Sequence, residues 1–217
     1  MEADLKKTSF ANVRMVEHPL LLRELTVIRD KNTTMEDFRN AVGRITTLLG
    51  YHALKNLPVS DYPIETPVTK TMGHKIDQEV VIVPILRAGL GMVNPLIQFV
   101  PEAKVGHLGM YRDETTHNPV DYYANIPGNI AEDFVLLVDP MLATGGSADD
   151  AISYLKEKGA QNIIFLALIS APEGLKILEE KHPDVSIITA AVDEELNSDK
   201  FIVPGLGDAG DRYFGTL

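Results

Sequence analysis

Two apolar stretches, residues 134–138 and 162–169, flank one amphipathic segment at 147–158, and no other feature restricts the fold as tightly. Apolar runs without polar alternation read as strands covered on both faces. Strands joined through a single helix pair in parallel, with right-handed crossovers. The same unit recurs on either side. Upstream are a strand at 80–83, a helix at 91–99 interrupted by Pro95, and a strand at 105–110. Downstream are a helix at 172–181 and a strand at 185–191. The fold class expected is α/β, with a central, mostly parallel sheet flanked by helices.

Two helical patterns precede this region. Residues 18–28 read as a helix with Pro19 near its start. Thr33 and Glu36 read as a capping box for the next helix. Its Phe38, Val42, Ile45, Leu49 and Ala53 keep helical spacing, so one face packs on a core. No catalytic cluster falls on these helices. They are expected to cover the sheet or to meet another subunit.

The chain has 217 residues, 45% of them hydrophobic, and no Ser/Gly-rich linker or repeat interrupts it. One domain spanning 1–217 is the expectation. The first residues are polar and acidic rather than basic then apolar, unlike a secretory leader. No apolar run approaches the ~20 residues that cross a bilayer. With no cysteine there are no disulfides or thiolate metal sites, which suits a reducing cytoplasm. The net charge of −11 disfavours nucleic acid and anionic membrane as partners.

Ligands of parallel sheets gather beyond the carboxyl ends of the strands. Asp139 stands there, followed by Pro140-Met-Leu-Ala-Thr-Gly-Gly-Ser147. Gly145 and Gly146 let backbone approach a ligand, Ser147 reads as the N-cap, and a helix N-terminus attracts anions. Together these features fit a ribose 5-phosphate, its phosphate on the turn and its hydroxyls on Asp139. An ordinary strand-to-helix turn accounts for the same local sequence. A P-loop does not, because Gly146 stands where that motif needs Lys. Arg87, within Pro84-Ile-Leu-Arg-Ala-Gly-Leu-Gly91, also lies just past a strand. A guanidinium can fork onto diphosphate oxygens, or it can pair with a structural carboxylate.

Residues 138–147 resemble the phosphoribosyl-diphosphate (PRPP) loop of the type I phosphoribosyltransferases, and Asp139-Pro-Met-Leu-Ala-Thr-Gly145 is similar to the wording of the uracil phosphoribosyltransferase family. Most of the wider superfamily carries two adjacent acids here, whereas this chain has Asp139 then Pro140, leaving one carboxylate for the ribose. The 84–91 segment resembles that family's diphosphate-binding loop. Phe201-Ile-Val-Pro-Gly-Leu-Gly-Asp-Ala-Gly-Asp-Arg212 resembles its uracil-binding segment. By spelling alone, Gly205-x-Gly207-x-x-Gly210 matches a dinucleotide fingerprint, but the residues after Gly210 are too few for a helix and a second strand.

Several assignments follow from the resemblance. Arg87, Asp139 and Asp208 would be catalytic. The residues binding PRPP would be Arg87, Arg112, Asp139, Pro140, Met141, Leu142, Ala143, Thr144, Gly145, Gly146, Ser147 and Asp208. Uracil would meet Ile202, Gly207, Asp208 and Ala209. Backbone amides can match the alternating edge of uracil, and cytosine would leave them unpaired. The implied reaction joins uracil and PRPP to give UMP and diphosphate in pyrimidine salvage. Mg²⁺ would be bound mainly through the diphosphate, and positioning and charge stabilisation would supply most of the catalysis. Arg87, Arg112, backbone amides and that Mg²⁺ would offset the acidic global field. A homodimer or higher homo-oligomer and activation by GTP are also implied, although no effector motif is legible. The connection from 111 to about 131, with His117, Asn118, Pro119, Tyr122 and Tyr123, reads as a lid hinged at Arg112, or else as an exposed hairpin.

The rivals are a transferase for another base, separable by competition with purines and orotate, and a non-catalytic regulator that binds UMP and RNA. The second needs a basic face that this composition does not favour. The six histidines show no close pairing in sequence, and Asp193-Glu194-Glu195 reads as a solvated acidic face rather than a metal site.

Overall fold

A computed structural model describes residues 5–112 and 119–216; the side chains of 110–112 and 119–122 lie outside the description. The chain opens with β1 (Leu5–Lys7), β2 (Val13–Val16), α1 (Pro19–Arg29) and α2 (Met35–Ala53), followed by β3 (Val59–Glu65) and β4 (Lys70–Ile76). Then come β5 (Val80–Pro84), α3 (Leu90–Phe99), β6 (Lys104–Val105), β7 (His107–Arg112), β8 (Pro119–Asn125) and β9 (Phe134–Val138). The remainder is β10 (Met141–Leu142), α4 (Gly146–Glu157), β11 (Asn162–Ser170), α5 (Pro172–Lys181), β12 (Ser186–Val192), β13 (Glu195–Leu196), β14 (Ile202–Val203) and α6 (Ala209–Phe214).

Among the described residues the main sheet runs β1-β2-β12-β11-β9-β5-β6, with β10 beside β11. Every pairing but β1–β2 is parallel. Side chains alternate between two cores with the strand period of two. Val80, Ile82, Leu136, Val138, Leu166 and Leu168 face a core shared with α1, α2 and α3. Val81, Val83, Val135, Leu137, Phe165 and Ala167 face one shared with α4 and α5. Burial on both faces explains the continuous apolar runs. The N-terminal helices cover the first core, with Leu21, Leu25, Ile28, Phe38, Ile45 and Leu49 buried.

Several local expectations are corrected. The second helix is capped by Thr34 rather than Thr33: Thr34 Oγ1 accepts from the Asp37 N–H at 3.1 Å and donates to the Asp37 carboxylate at 2.8 Å. Thr33 is drawn off to donate to the Val27 carbonyl at 2.6 Å. Ser147 is not an N-cap. Gly145 takes that place with φ 83°, a left-handed turn that leaves the helix start without a side-chain cap. Of the two readings for the connection after Met110, the backbone takes the hairpin, with Val120 and Tyr123 giving its return arm strand character. β7 pairs antiparallel with β8, with a bulge at Gly109/Met110, and residues 113–118 lie outside the description. A second hairpin, β3–β4, and the β1–β2 edge were not legible because their strands are short or exposed on both faces.

Candidate active site at the carboxyl ends of β5 and β9

Loops after β5 and β9 meet the segment that follows β14. The Ile85 N–H donates to the Val138 carbonyl at 3.0 Å, and the Leu86 N–H donates to Leu108 at 2.8 Å, tying the first loop to β9 and to the β7 hairpin. On the far side, Ala88 lies against Gly210. Arg87, with a 60% exposed side chain, makes a long contact of 3.4 Å to Asp211. Among the described residues its guanidinium keeps donors in reserve.

Residues 139 and 141–148 line a small cavity of about 90 Å³. Asp139 accepts from the Met141 N–H at 3.5 Å. Loss of solvent pushes its carboxyl up to about 7; the Met141 N–H opposes this, and the nearby charge of Asp208 adds to it. Pro140 is buried, and its carbonyl accepts from Leu168 and Ile169, so it joins the loop to β11 rather than lining the cavity. Met141 and Leu142 continue that pairing as β10. Thr144 and Ser147 are exposed at the rim, and Thr144 Oγ1 accepts from Gly146 N–H at 3.5 Å.

The loop depends on a glycine that sequence reasoning missed. Gly174 of α5 lies so close beneath it that a Cβ there would sit 2.4 Å from the Ala143 carbonyl. No local signal distinguishes it from an unfavourable glycine in a helix. Asp149, in the first turn of α4, would repel an anion if it faced the cavity. Instead Lys181 and His182 hold its carboxylate, His182 at 3.0 Å, against the end of α5.

Around the third loop, Asp208 caps α6 by accepting from the Asp211 N–H at 2.8 Å with Oδ1. Gly207 is exposed with φ 80°. Ile202 and Ala209 are buried, at 6% and 2% exposed, while Gly207 and Asp208 between them are exposed. A six-residue helix, α6, follows Gly207, but no parallel strand succeeds it among the described residues, so the dinucleotide-binding unit is not built. Asp193-Glu194-Glu195 is not a uniform solvated face either. Asp193 is buried and paired with Arg29, while Glu194 and Glu195 are exposed. The site side chain of Arg112 falls outside the description, at the end of β7.

The three motifs that resemblance singled out thus lie on adjoining loops, bringing a turn, a carboxylate and a guanidinium to one end of the sheet. Comparison with known proteins agrees with that reading. The family model described as uracil phosphoribosyltransferase matches residues 15–216. Uracil phosphoribosyltransferase of Salinibacter ruber is 54% identical over 205 residues, covering 94% of this chain and 98% of the relative. That of Streptococcus suis is 54% identical over 204 residues with the same two shares. Among solved structures, the AQ2163 protein of Aquifex aeolicus superposes with a TM-score of 0.87 at 36% identity, covering 93% of this chain and 97% of that one. Adenine phosphoribosyltransferase of Leishmania donovani, at TM-score 0.60 and 13% identity over 90% of this chain and 89% of its own, shares the fold. The chain belongs to the uracil phosphoribosyltransferase family.

Proposed function

We propose that the protein transfers the phosphoribosyl group of PRPP to N1 of uracil, giving UMP and diphosphate in pyrimidine salvage. The observation that carries this reading is the meeting of the 139–148 cavity, Arg87 and the Gly207–Asp208 turn at one end of the sheet. The uncapped start of α4 offers N–H groups to the 5-phosphate. Asp139 takes ribose hydroxyls, and its charge favours the cationic ribose that forms as diphosphate leaves. Arg87 meets the diphosphate, with Arg112 as a second cation. Backbone of the Ile202–Ala209 segment reads the base. Among the described residues we identify no general base for N1.

Mg²⁺ fits this site in one manner. The described residues hold no group of three or more His, Asp or Glu able to cage a metal. Asp139 and Asp208 are near enough for the charge of one to perturb the other. One or two carboxylates plus substrate phosphates is a usual setting for Mg²⁺, which would neutralise charge on the leaving diphosphate. UMP formation is expected to cease with excess chelator and to return with added Mg²⁺. Turnover unaffected by chelation would remove the metal from the proposal.

No helix among the described residues is long and apolar enough to cross a membrane, and we place the enzyme in the cytoplasm. Exposed Leu20, Leu22, Val68 and Met72 provide apolar surface for self-association as a homo-oligomer. The family resemblance carries activation by GTP into the proposal. Sedimentation and a GTP titration of the rate test these two points.

Pure protein with uracil, PRPP and Mg²⁺ should yield UMP, and no product would return the non-catalytic regulator reading. Arg87→Ala should weaken PRPP binding by about 2 kcal/mol, the value of a hydrogen bond to a charged group. A larger loss is not expected, because this side chain is mostly solvated before substrate arrives. Calorimetry showing unchanged PRPP affinity would dissociate Arg87 from the diphosphate.

A further inference from the structure

We propose that Arg29 and Asp193 are positioning residues that set base recognition by clamping the peptide groups of Gly205. This rests on the reading that the 202–209 segment takes the base. Arg29 is the last residue of α1, and Asp193 immediately follows β12. The two lie 164 positions apart in sequence and pair with both prongs, at 2.6 and 2.8 Å. The same pair holds Gly205 from both sides: its N–H donates to Asp193 Oδ2 at 2.9 Å, and its carbonyl accepts from Arg29 Nη1 at 2.8 Å. Asp193 is itself fixed, its N–H donating to the Ser170 carbonyl at 2.8 Å.

The clamp grips the one place where the segment turns most tightly. Gly205 has φ 61°, and a Cβ there would lie 2.1 Å from the Ile202 carbonyl, so only glycine follows this path. Two residues later the backbone is exposed at Gly207 and Asp208. Backbone recognition of a flat base has no side-chain rotamer to adjust, so its accuracy is that of the backbone itself. A bidentate ion pair on the rigid ends of α1 and β12 provides such a reference. Arg212 adds a second tie, donating to Leu206 at 2.7 Å and to the carbonyls of Ile28 and Asp30 at the same end of α1.

The test uses the full-length protein and separates the two substrates. Arg29→Lys keeps the charge but cannot hold both carboxylate oxygens and the carbonyl together. Asp193→Asn keeps an acceptor for the Gly205 N–H but loses the pair. Each should raise the KM for uracil at least tenfold, leave the KM for PRPP within about twofold, and narrow the preference for uracil over cytosine. Because the pair acts as one unit, the double variant should be little worse than either single one. Arg29→Lys leaves Asp193 a cation, so it carries the test alone if Asp193→Asn does not fold. An unchanged uracil KM, or equal rises in both KM values, overturns the clamp. Gly207→Ala, strained at its φ of 80°, tests the underlying reading. If that variant also leaves uracil KM unchanged, the base-reading segment itself is misassigned. If it raises uracil KM while Arg29→Lys does not, the clamp alone falls.

Discussion

Asp139→Asn is expected to produce a protein that is more stable at pH 8 and nearly inactive. The carboxyl titrates at about 7 in the fold, against an ordinary value of 3.8. The folded state therefore binds more protons than the unfolded chain between those values. Stability from this group is present at low pH, declines as pH rises from about 4 to 7, and stays lost above that. The loss is on the order of 4 kcal/mol above pH 7, and a neutral amide avoids most of it. Activity moves the other way. A carboxylate accepting two ribose hydroxyls contributes about 1.5–3 kcal/mol per bond, so kcat/KM should fall by roughly two orders of magnitude or more. Melting curves at pH 5 and 8 beside steady-state rates provide both readings. Near-normal turnover would remove Asp139 from the site, and an unchanged melting difference between the two pH values would refute its raised pKa.

The same group makes substrate binding pH-dependent. Only the ionised form offers both oxygens as strong acceptors to the hydroxyls, so tight PRPP binding below pH 7 must first displace a proton. Affinity should fall by up to tenfold per unit as pH drops below about 7. Phosphate oxygens of the substrate titrate near ~6 as well. The comparison that isolates Asp139 is therefore the slope lost in Asp139→Asn, measured by calorimetry. Identical slopes in the two proteins would assign the effect to the substrate alone.

Gly174→Ala is expected to damage the 143–145 turn selectively. The added carbon would meet backbone, the Ala143 carbonyl at 2.4 Å and the Gly145 nitrogen at 3.1 Å, neither of which can rotate away. Overpacking of this kind costs about 1–3 kcal/mol. The cheapest relief is to push the 143–145 turn outward, and displacing a positioning group by about 1 Å costs on the order of 10²-fold in rate. The KM for PRPP should rise at least tenfold while uracil KM changes little. Wild-type KM values with an unshifted melting temperature would show that the turn does not rest on α5.

Much of this was legible along the chain because it is local. The runs at 80–84, 134–138 and 162–170 are continuous, since both faces of each strand are buried, and α5 spans the residues its pattern predicts. The acid and glycines after β9 are equally local, because one strand end and one helix start suffice to build an anion site. Legibility fails where a residue's role depends on a distant partner. Asp193 reads as part of an acidic surface until Arg29 closes on it, and Gly174 reads as a weak helix residue until the 143–145 turn is laid over it. The segment after Met110 leaves lid and hairpin both open in the sequence, because its two arms need each other's hydrogen bonds more than any periodic face.

Sequence alone determined the alternation of strand and helix, the order of the three motifs and the charge each would bring, since these depend on neighbours within a few residues. Tertiary structure decided that Asp139 is partly desolvated, that Arg87 keeps most of its solvent, and that the Gly205 peptides are held by an ion pair drawn from opposite ends of the chain. Desolvation and close packing are properties of surfaces brought together in space, and nothing in the local order of residues encodes which surfaces will meet.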